Sequence, residues 1–398
     1  MKKEDIAKYA YENVPFYQKL IDDCPQAWNE YPIVDKKMLL EDMDANFSPQ
    51  YMMDYLSDEL EYVLTSGSTG DCLKIFWKKE QNVKSLLPLW KKRERYYGIT
   101  PRDRRCYFFT TKILDGKELQ SEKTRYGLGF NKMDLSEEKV IGIYEKILEF
   151  NPKWMIVQPS MILLFMRVMK KYNLQQLPEL TYIELNGERF TKETKKQIAT
   201  FFDCKVASQY GCYEVNSIAY ECPCGNLHVM SENVYAENVG NDDICITSLH
   251  NKVMPFVRYK IGDKGKVVYI QNCPCGSKEP VIELSMAREN DWIYNVDGTV
   301  THSDLFCHVI DRINLTLEQA VLQYQIIQVD YDKFEVYLVL GDEKDTFAVQ
   351  DLFVNYFRSF QLERNFNFFF VDYLYPSEKT GKLAWFISKV KGEETNED

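Results

Sequence analysis

The sequence predicts an α/β protein: a large N-terminal α/β domain with a β-rich closing region, then a small α+β C-terminal domain. Three observations predict it. Between about 105 and 210, short apolar, β-prone runs alternate with helical patterns, which indicates a largely parallel layer. From about 218 to 285 the texture changes to short β segments, and beyond Asp291 a smaller set of strands and a helix follows. At 398 residues the chain is also too long for one ordinary core.

Taken in order, residues 1 to about 45 read as helical pieces. Ile6, Ala10 and Val14 fall at helical spacing before Pro15 interrupts, and Asp35, after Pro32-Ile33-Val34, is a good N-cap. Tyr62-Val63-Leu64 feeds the loop Thr65-Ser66-Gly67-Ser68-Thr69-Gly70, and the β-prone Leu73-Lys74-Ile75-Phe76-Trp77 follows. Asn82 to Tyr97 reads as a helix whose Lys91, Lys92, Arg93 and Arg95 form a solvated face. Arg105 to Thr110 is strand-like. Ser136 caps a helix running to Phe150, and Trp154 to Ser160 is a short strand ending at a turn. Met161 to Tyr172 is helical, Tyr182 to Glu188 a strand with a Gly turn, Thr191 to Phe202 a helix and Lys205 to Tyr210 a strand. Ligands in such sheets sit beyond the carboxyl ends of the strands, where the loops at 159–160, 186–188 and 210–214 lie.

Asp243 to Ser248, Phe256 to Lys260, Lys266 to Ile270 and Val281 to Leu284 read as an antiparallel region closing the large domain. In the smaller unit, Gln323 to Val329 pairs with Lys333 to Leu340, Thr346 to Phe360 is a helix and Phe366 to Tyr373 a strand. This places an N-terminal domain at 1–287 and a C-terminal domain at 288–398, with an acidic tail from Gly392.

Composition narrows the function. Hydrophobic residues are 45% and charged residues 27%, the profile of a soluble globular protein. The net charge of −11 argues against nucleic acid as a partner. No apolar run has the length of a membrane span and none at the N-terminus has signal-peptide character, so no membrane partner and a cytoplasmic location are expected. Eleven cysteines in such a chain do not make a disulfide framework; clustered ones point to metal.

Two stretches carry chemistry on their own. Backbone N–H groups of a Gly-rich turn form an anion-binding concavity, and hydroxyls add donors, so Thr65 to Gly70 suits the phosphates of a nucleotide. It lacks the Gly-Lys-Ser/Thr ending of a Walker loop, and alone it reads equally well as a polar hairpin turn. Cys222-Pro223-Cys224-Gly225-Asn226-Leu227-His228 and Cys273-Pro274-Cys275-Gly276 are compact clusters of zinc-ligand type, with five candidates for four tetrahedral places. All-protein ligation closes such a site, so the zinc is expected to be structural, in the β region at about 218–285. Cys24, Cys72, Cys106, Cys204, Cys212, Cys245 and Cys307 are expected as small core residues.

Read together, these stretches resemble the adenylate-forming superfamily, and within it the phenylacetate–CoA ligase-like branch that includes capsule-biosynthesis-associated members. The resemblance covers nearly the whole chain. It rests on Glu12-Asn13-Val14-Pro15-Phe16-Tyr17, Tyr31-Pro32-Ile33-Val34-Asp35-Lys36, Thr65 to Gly70, Tyr210-Gly211-Cys212-Tyr213-Glu214, Met254-Pro255-Phe256-Val257-Arg258-Tyr259-Lys260-Ile261-Gly262-Asp263, Ala287-Arg288-Glu289-Asn290-Asp291 and Thr380-Gly381-Lys382. Each block is weak alone; all of them in order is a strong signal. Three positions depart from the pattern. Cys72 stands where a Pro is usual, Tyr213 where a Ser or Thr precedes the motif Glu, and Ala287 where the hinge has Gly. Tyr213 falls where a hydroxyl normally approaches the nucleotide.

The resemblance implies an AMP-forming acyl- or aryl-CoA ligase that uses ATP, Mg²⁺ and coenzyme A on a small carboxylic acid. It implies that Thr65, Ser66, Gly67, Ser68, Thr69 and Gly70 hold phosphates and that Glu214 holds magnesium. Asp263 accepts the ribose hydroxyls, Asn186, Gly187 and Glu188 form the adenine-side loop, and Tyr210, followed by Gly211, stacks on adenine. Arg288 contacts ribose or phosphate, and Lys382 is the adenylation lysine of a mobile C-terminal lid that rotates about Asp291. It favours Cys222, His228, Cys273 and Cys275 as zinc ligands, the runner-up set replacing His228 by Cys224. Transfer of the acyl group to an amine or carrier thiol is the near alternative; a zinc-stabilised nucleotide-binding protein without turnover is the alternative of another class. The acyl pocket is expected between the helix after Ser160 and the loops at 186 and 210, with a weak bias to aryl or medium-sized apolar acids. A homodimer is compatible with the sequence.

Overall fold

The first elements follow from proline placement. In the computed structural model, which describes residues 1–21, 23, 25–65, 72–109, 113–114, 117–132, 136–288, 292–317, 320–341, 345–360, 364–375 and 383–390, helix Lys3–Asn13 ends at the extended residue Val14. Pro15 does more than interrupt it: it opens the next helix, Pro15–Leu20, at a position where a missing N–H costs nothing. Asp35 caps helix Lys36–Glu41 by accepting the Met38 N–H. These pieces bury Ala7, Ala10, Val14, Phe16, Tyr17 and Val34 against Ile244, Ile246, Phe256 and Tyr259.

Among the described residues, one sheet of twelve strands is the spine. Its parallel half runs Gly127–Asn131, Arg105–Phe109, Trp154–Val157, Tyr182–Leu185, Lys205–Tyr210. Strands Gly127–Asn131 and Tyr182–Leu185 are buried throughout and Trp154–Val157 is wholly apolar, because helices cover both faces. Helices Glu137–Phe150, Pro159–Lys171 and Lys192–Phe202 pack on one side over Val157, Ile183 and Leu185. On the other, Trp90 of helix Lys79–Tyr97 meets Trp154 and Tyr182. Pro159 begins a helix instead of ending a turn.

The antiparallel region continues the same sheet. Lys205–Tyr210 pairs with Ala219–Glu221, and Leu227–Val229, Val281–Arg288, Tyr259–Val268, Asp243–Ser248 and Val234–Val239 follow outward. The expected strands at 256–260 and 266–270 are one strand, Tyr259–Val268. It swallows the Gly262-Asp263-Lys264-Gly265 sequence that reads as a turn: Gly262 takes φ +79° and the register shifts between Asp263 and Gly265, so the strand bends without ending.

Arg93 corrects another expectation. It is not part of a solvated face. It is 6% exposed and forms a two-point pair with Glu184 in the middle of strand Tyr182–Leu185. Tyr220 donates to the same Glu184 carboxylate at 3.0 Å and shares a hydrogen bond with Tyr182. Burial would weaken the Arg93 proton, but the Glu184 charge outweighs it and the net shift is upward.

Residues 293–386 have their own core of Phe306, Phe334, Phe353 and Phe357. Its sheet runs Asn365–Phe370, Lys333–Leu340, Val321–Asp330, Phe386–Ser388, under helices Asp304–Thr316 and Thr346–Arg358. The helix at 304–316 and the strand at 386–388 are additions to the sequence reading. Of the cysteines expected in the core, Cys106, Cys245 and Cys307 are buried, Cys204 and Cys212 half-buried and Cys72 exposed; Cys24 lies outside the described residues. No helix among the described residues is long and apolar enough to cross a membrane.

Replacing Glu184 alone by Leu should cost about 3–5 kcal/mol in urea unfolding, because it leaves the Arg93 charge buried and unpaired. The double change Arg93→Met with Glu184→Leu should cost less than the single one. A single change costing under about 1 kcal/mol would mean that the pair behaves like a surface ion pair.

Candidate active site and metal centre

The parallel strands deliver three loops to one edge. Val157 and Leu185 are register partners, as are Leu185 and Ser208, so the residues after each strand emerge side by side. Gln158, Asn186 and the run from Gly211 to Glu214 therefore share the carboxyl end of the sheet. Gly211 is required there: a Cβ would stand 1.9 Å from the Asn216 carbonyl oxygen.

From the antiparallel side, strand Tyr259–Val268 brings two groups to the same edge. Tyr210 Oη donates to Asp263 Oδ2 at 2.8 Å. Tyr259 Oη donates to Glu214 Oε1 at 3.1 Å, which holds a carboxylate only 7% exposed. Arg189 Nη2 lies 3.3 Å from Asp263 Oδ1, and its guanidinium sits 6.0 Å from the Tyr210 ring. Burial pushes the Tyr210 hydroxyl well above its usual range, and the Asp263 charge adds to it; Cys212 moves upward through burial and then Glu214. Arg288 is the strand-register partner of Asp263. Tyr213 is exposed.

Several polar atoms at this edge are buried with no hydrogen-bond partner among the described residues: Asn186 Oδ1, Gln158 Oε1 and Arg189 Nη2. Arg189 Nη2 keeps ion-pair proximity to Asp263 but not hydrogen-bond geometry. Orphaned buried donors and acceptors cost free energy unless something completes them.

Thr65 closes the neck of its loop. It sits at the end of hairpin Leu60–Leu64 and Lys74–Lys78, and its Oγ1 accepts the Leu73 N–H at 2.9 Å, leaving the hydroxyl proton free to be given. Ser66, Gly67, Ser68, Thr69 and Gly70 lie outside the described residues, as do Asp291 and Lys382. Leu383, next to Lys382, donates its N–H to Glu188 Oε1 at 3.0 Å. Glu188 also takes the Ser160 N–H and hydroxyl, and burial raises its carboxyl above the usual range. Gly187 has φ +78°, which turns the chain between Asn186 and Glu188.

Arg189 and Ser160 carry no role in the sequence reading. Arg189 directly follows Asn186-Gly187-Glu188, so extending that block by one residue would have included it. Tyr259 sits inside a quoted block, and its aromatic identity was the available signal.

A second constellation lies further along. Cys222, His228, Cys273 and Cys275 place their ligand atoms within 4.8 Å of one another. Cys222 Sγ and Cys273 Sγ are 3.8 Å apart, and His228 Nε2 is 3.4 Å from Cys275 Sγ. Two thiolates each about 2.3 Å from a tetrahedral zinc would be about 3.8 Å apart. His228 Nδ1 faces the Glu279 carbonyl at 3.0 Å, the outer contact that turns Nε2 toward a metal. Burial opposes ionisation of Cys273, but hydrogen bonds from Asn226, the Cys275 backbone and His228 outweigh it and bring the thiol down to about 6. Burial pushes Cys222 up to about 12. Cys224 is exposed and outside this group, so the runner-up ligand set is not the one the fold assembles.

No family model matches the chain. It is 22% identical to Protein CapK of Staphylococcus aureus over 421 residues, covering 98% of this chain and 88% of that protein. A crystal structure of 2-hydroxyisobutyryl-CoA ligase in the postadenylation state with 2-HIB-AMP matches at TM-score 0.72 and 13% identity, covering 97% of this chain and 88% of that one. The same ligase with 2-HIB-AMP and CoA in the thioesterification state matches at 0.59 and 14% identity, over the same shares. GH3.15 acyl acid amido synthetase matches at 0.58 and 12% identity, over 92% of this chain and 83% of that one.

Purified protein should carry about one zinc per chain by elemental analysis. Cys273→Ser should lose it and Cys224→Ser should keep it. Because the ligands must be deprotonated, retention should fall as pH is lowered and protons compete with the metal for the thiolates and the imidazole. Metal-free wild-type protein from chelator-free buffer would contradict the site.

Proposed function

We propose, on the premise that this chain has the fold of the adenylate-forming enzymes, that it activates a carboxylic acid with ATP and passes the acyl group to coenzyme A. The observation that carries this is the convergence of Asn186, Tyr210, Glu214 and Asp263 at the carboxyl end of the parallel strands, with Leu383 held beside them. In the first step a substrate carboxylate oxygen attacks the α-phosphorus and the bond to pyrophosphate breaks. In the second, the CoA thiol attacks the acyl carbon and AMP leaves.

The roles follow from the donors and acceptors. Asp263, an acceptor-only carboxylate held by Tyr210 and beside Arg189, accepts ribose hydroxyls. Asn186 Oδ1, a buried acceptor without a partner among the described residues, suits the exocyclic amine of adenine. Tyr210 lies against the base, Arg189 adds positive charge beside Asp263, and Arg288, the register partner of Asp263, contacts ribose or phosphate. Glu214, held by Tyr259, would be a carboxylate ligand for a magnesium ion, which would offset phosphate charge. The loop from Thr65 to Gly70 cradles the outer phosphates. Lys382 neutralises charge as carboxylate and α-phosphate approach, worth several orders of magnitude when preorganised.

We assign residues 1–287 to the nucleotide and acid domain, within the phenylacetate–CoA ligase-like branch, and 288–398 to a lid that rotates to exchange Lys382 for a thioester-forming face. The zinc of Cys222, His228, Cys273 and Cys275 is structural: it would tie the strand Leu227–Val229 to the turn before Val281. An amine acceptor in place of CoA is the second reading.

Lys382→Ala should abolish acyl-adenylate formation, by about a hundredfold or more, while ATP still binds. Unchanged adenylation would remove its role. Asp263→Ala should weaken ATP binding by about tenfold or more, read by calorimetry, as two hydrogen bonds to a charged acceptor are lost. Equal affinity would reject the ribose contact.

A further inference from the structure

Ser160 and Glu188 meet the C-terminal unit twice. Ser160 is in the first turn of helix Pro159–Lys171. Its N–H donates to Glu188 Oε2 at 2.9 Å and its hydroxyl to Oε1 at 2.8 Å. Glu188 Oε1 also accepts the Leu383 N–H at 3.0 Å. The Ser160 carbonyl accepts Tyr373 Oη at 2.7 Å. Tyr373 is 6% exposed and packs into the apolar core of the large domain with Ile162 and Phe165. Next to it, Asp372 pairs with Arg167 of the same helix at 3.2 Å. Tyr373 and Leu383 flank the stretch that ends in Lys382, and both of these flanks are tied to one residue, Ser160: directly on one side, through Glu188 on the other.

We infer that Glu188 and Ser160 are positioning residues that clasp the C-terminal unit in its adenylation posture, Glu188 acting through the Leu383 backbone and Ser160 through Tyr373. This gives Glu188 a role other than contact with adenine. A carboxylate is suited to it: it accepts three donors on two oxygens, whereas a glutamine has one acceptor oxygen, and its NH₂ must oppose the backbone N–H of either Ser160 or Leu383. The inference rests on the reading that Lys382 serves adenylation. It implies that weakening the clasp slows the first half-reaction and spares the second, which uses a different arrangement of the small unit.

The test uses the full-length protein, wild type, Glu188→Gln and Tyr373→Phe. ATP–pyrophosphate exchange reads the first half-reaction, and thioester formation from supplied acyl-adenylate and CoA reads the second. Glu188→Gln should lower the exchange kcat about tenfold or more, with the KM for ATP within about twofold, as expected when a hydrogen bond to a charged acceptor is lost away from the nucleotide. Tyr373→Phe should lower exchange about fivefold, for one neutral hydrogen bond, and leave transfer from supplied adenylate at the wild-type rate. A rise in the ATP KM with kcat unchanged would make Glu188 a nucleotide contact and overturn the inference. Equal losses in both half-reactions for Tyr373→Phe would make the contact merely structural and overturn it too. Hydrogen exchange separates the clasp from the enzymatic reading. The Leu383 amide should be protected in the wild type and exchange about tenfold faster in Glu188→Gln, whether or not any acid supports pyrophosphate exchange. An unprotected Leu383 amide in the wild type would sink the clasp by itself.

Discussion

The buried pair of Arg93 and Glu184 is the constraint on which the site depends. Glu184 lies one residue before Leu185, where the strand gives way to the Asn186–Glu188 loop, so the helix carrying Arg93 fixes where that loop begins. A buried pair is a poor source of stability relative to apolar packing, but an unpaired member is expensive, which makes the arrangement specific. Tyr182 and Tyr220 extend it sideways to the strand Ala219–Glu221. Cys222 follows immediately, and on the same helix Tyr96 and Arg95 reach Cys275. One helix thus connects the loop edge of the parallel half to the cysteine–histidine centre of the antiparallel half.

The motif blocks are held by each other as much as by the sheet. Tyr17, from the first block, donates to the Pro255 carbonyl and accepts the Val257 N–H. Val34, from the second, bridges the chain on both sides of Tyr259. Arg258 adopts φ +46°, a strained value for a residue with a side chain, and its guanidinium holds Glu237 and the carbonyls of Asn29 and Tyr31. That bend aims Tyr259 at Glu214. Residues far apart in sequence thereby position one carboxylate.

Much of this was legible in the sequence. Apolar runs bounded by caps at Ser136 and Thr191 located the helices and four of the five parallel strands, since strand and helix periods differ and both ends carry chemical punctuation. Strand Gly127–Asn131, with two glycines and no alternation, was missed, and the strands from Trp154 and Tyr182 end three residues earlier than read. The cluster of Cys222, His228, Cys273 and Cys275 was legible down to five candidates because soft ligands in compact pairs are scarce elsewhere, and the resemblance, not the spacing, favoured His228 over Cys224. What was illegible depended on partners distant in sequence. Arg93 looks like its neighbours Lys91 and Lys92 until Glu184 is placed opposite it. Asp263 sits in a sequence that favours a turn, and only pairing with Val281–Arg288 keeps the strand running. Ser160 and Glu188 acquire meaning only when Tyr373 and Leu383 arrive from the other end of the chain.

The central claim is that this constellation forms an acyl-adenylate. The most direct measurement is pyrophosphate release with ATP and Mg²⁺ across a panel of aryl and aliphatic carboxylic acids, each with and without CoA. Release should depend on one class of acid and rise further with CoA. ATP binding with no release for any acid, with or without CoA or an amine acceptor, would contradict it and leave a nucleotide-binding protein on an enzyme's fold.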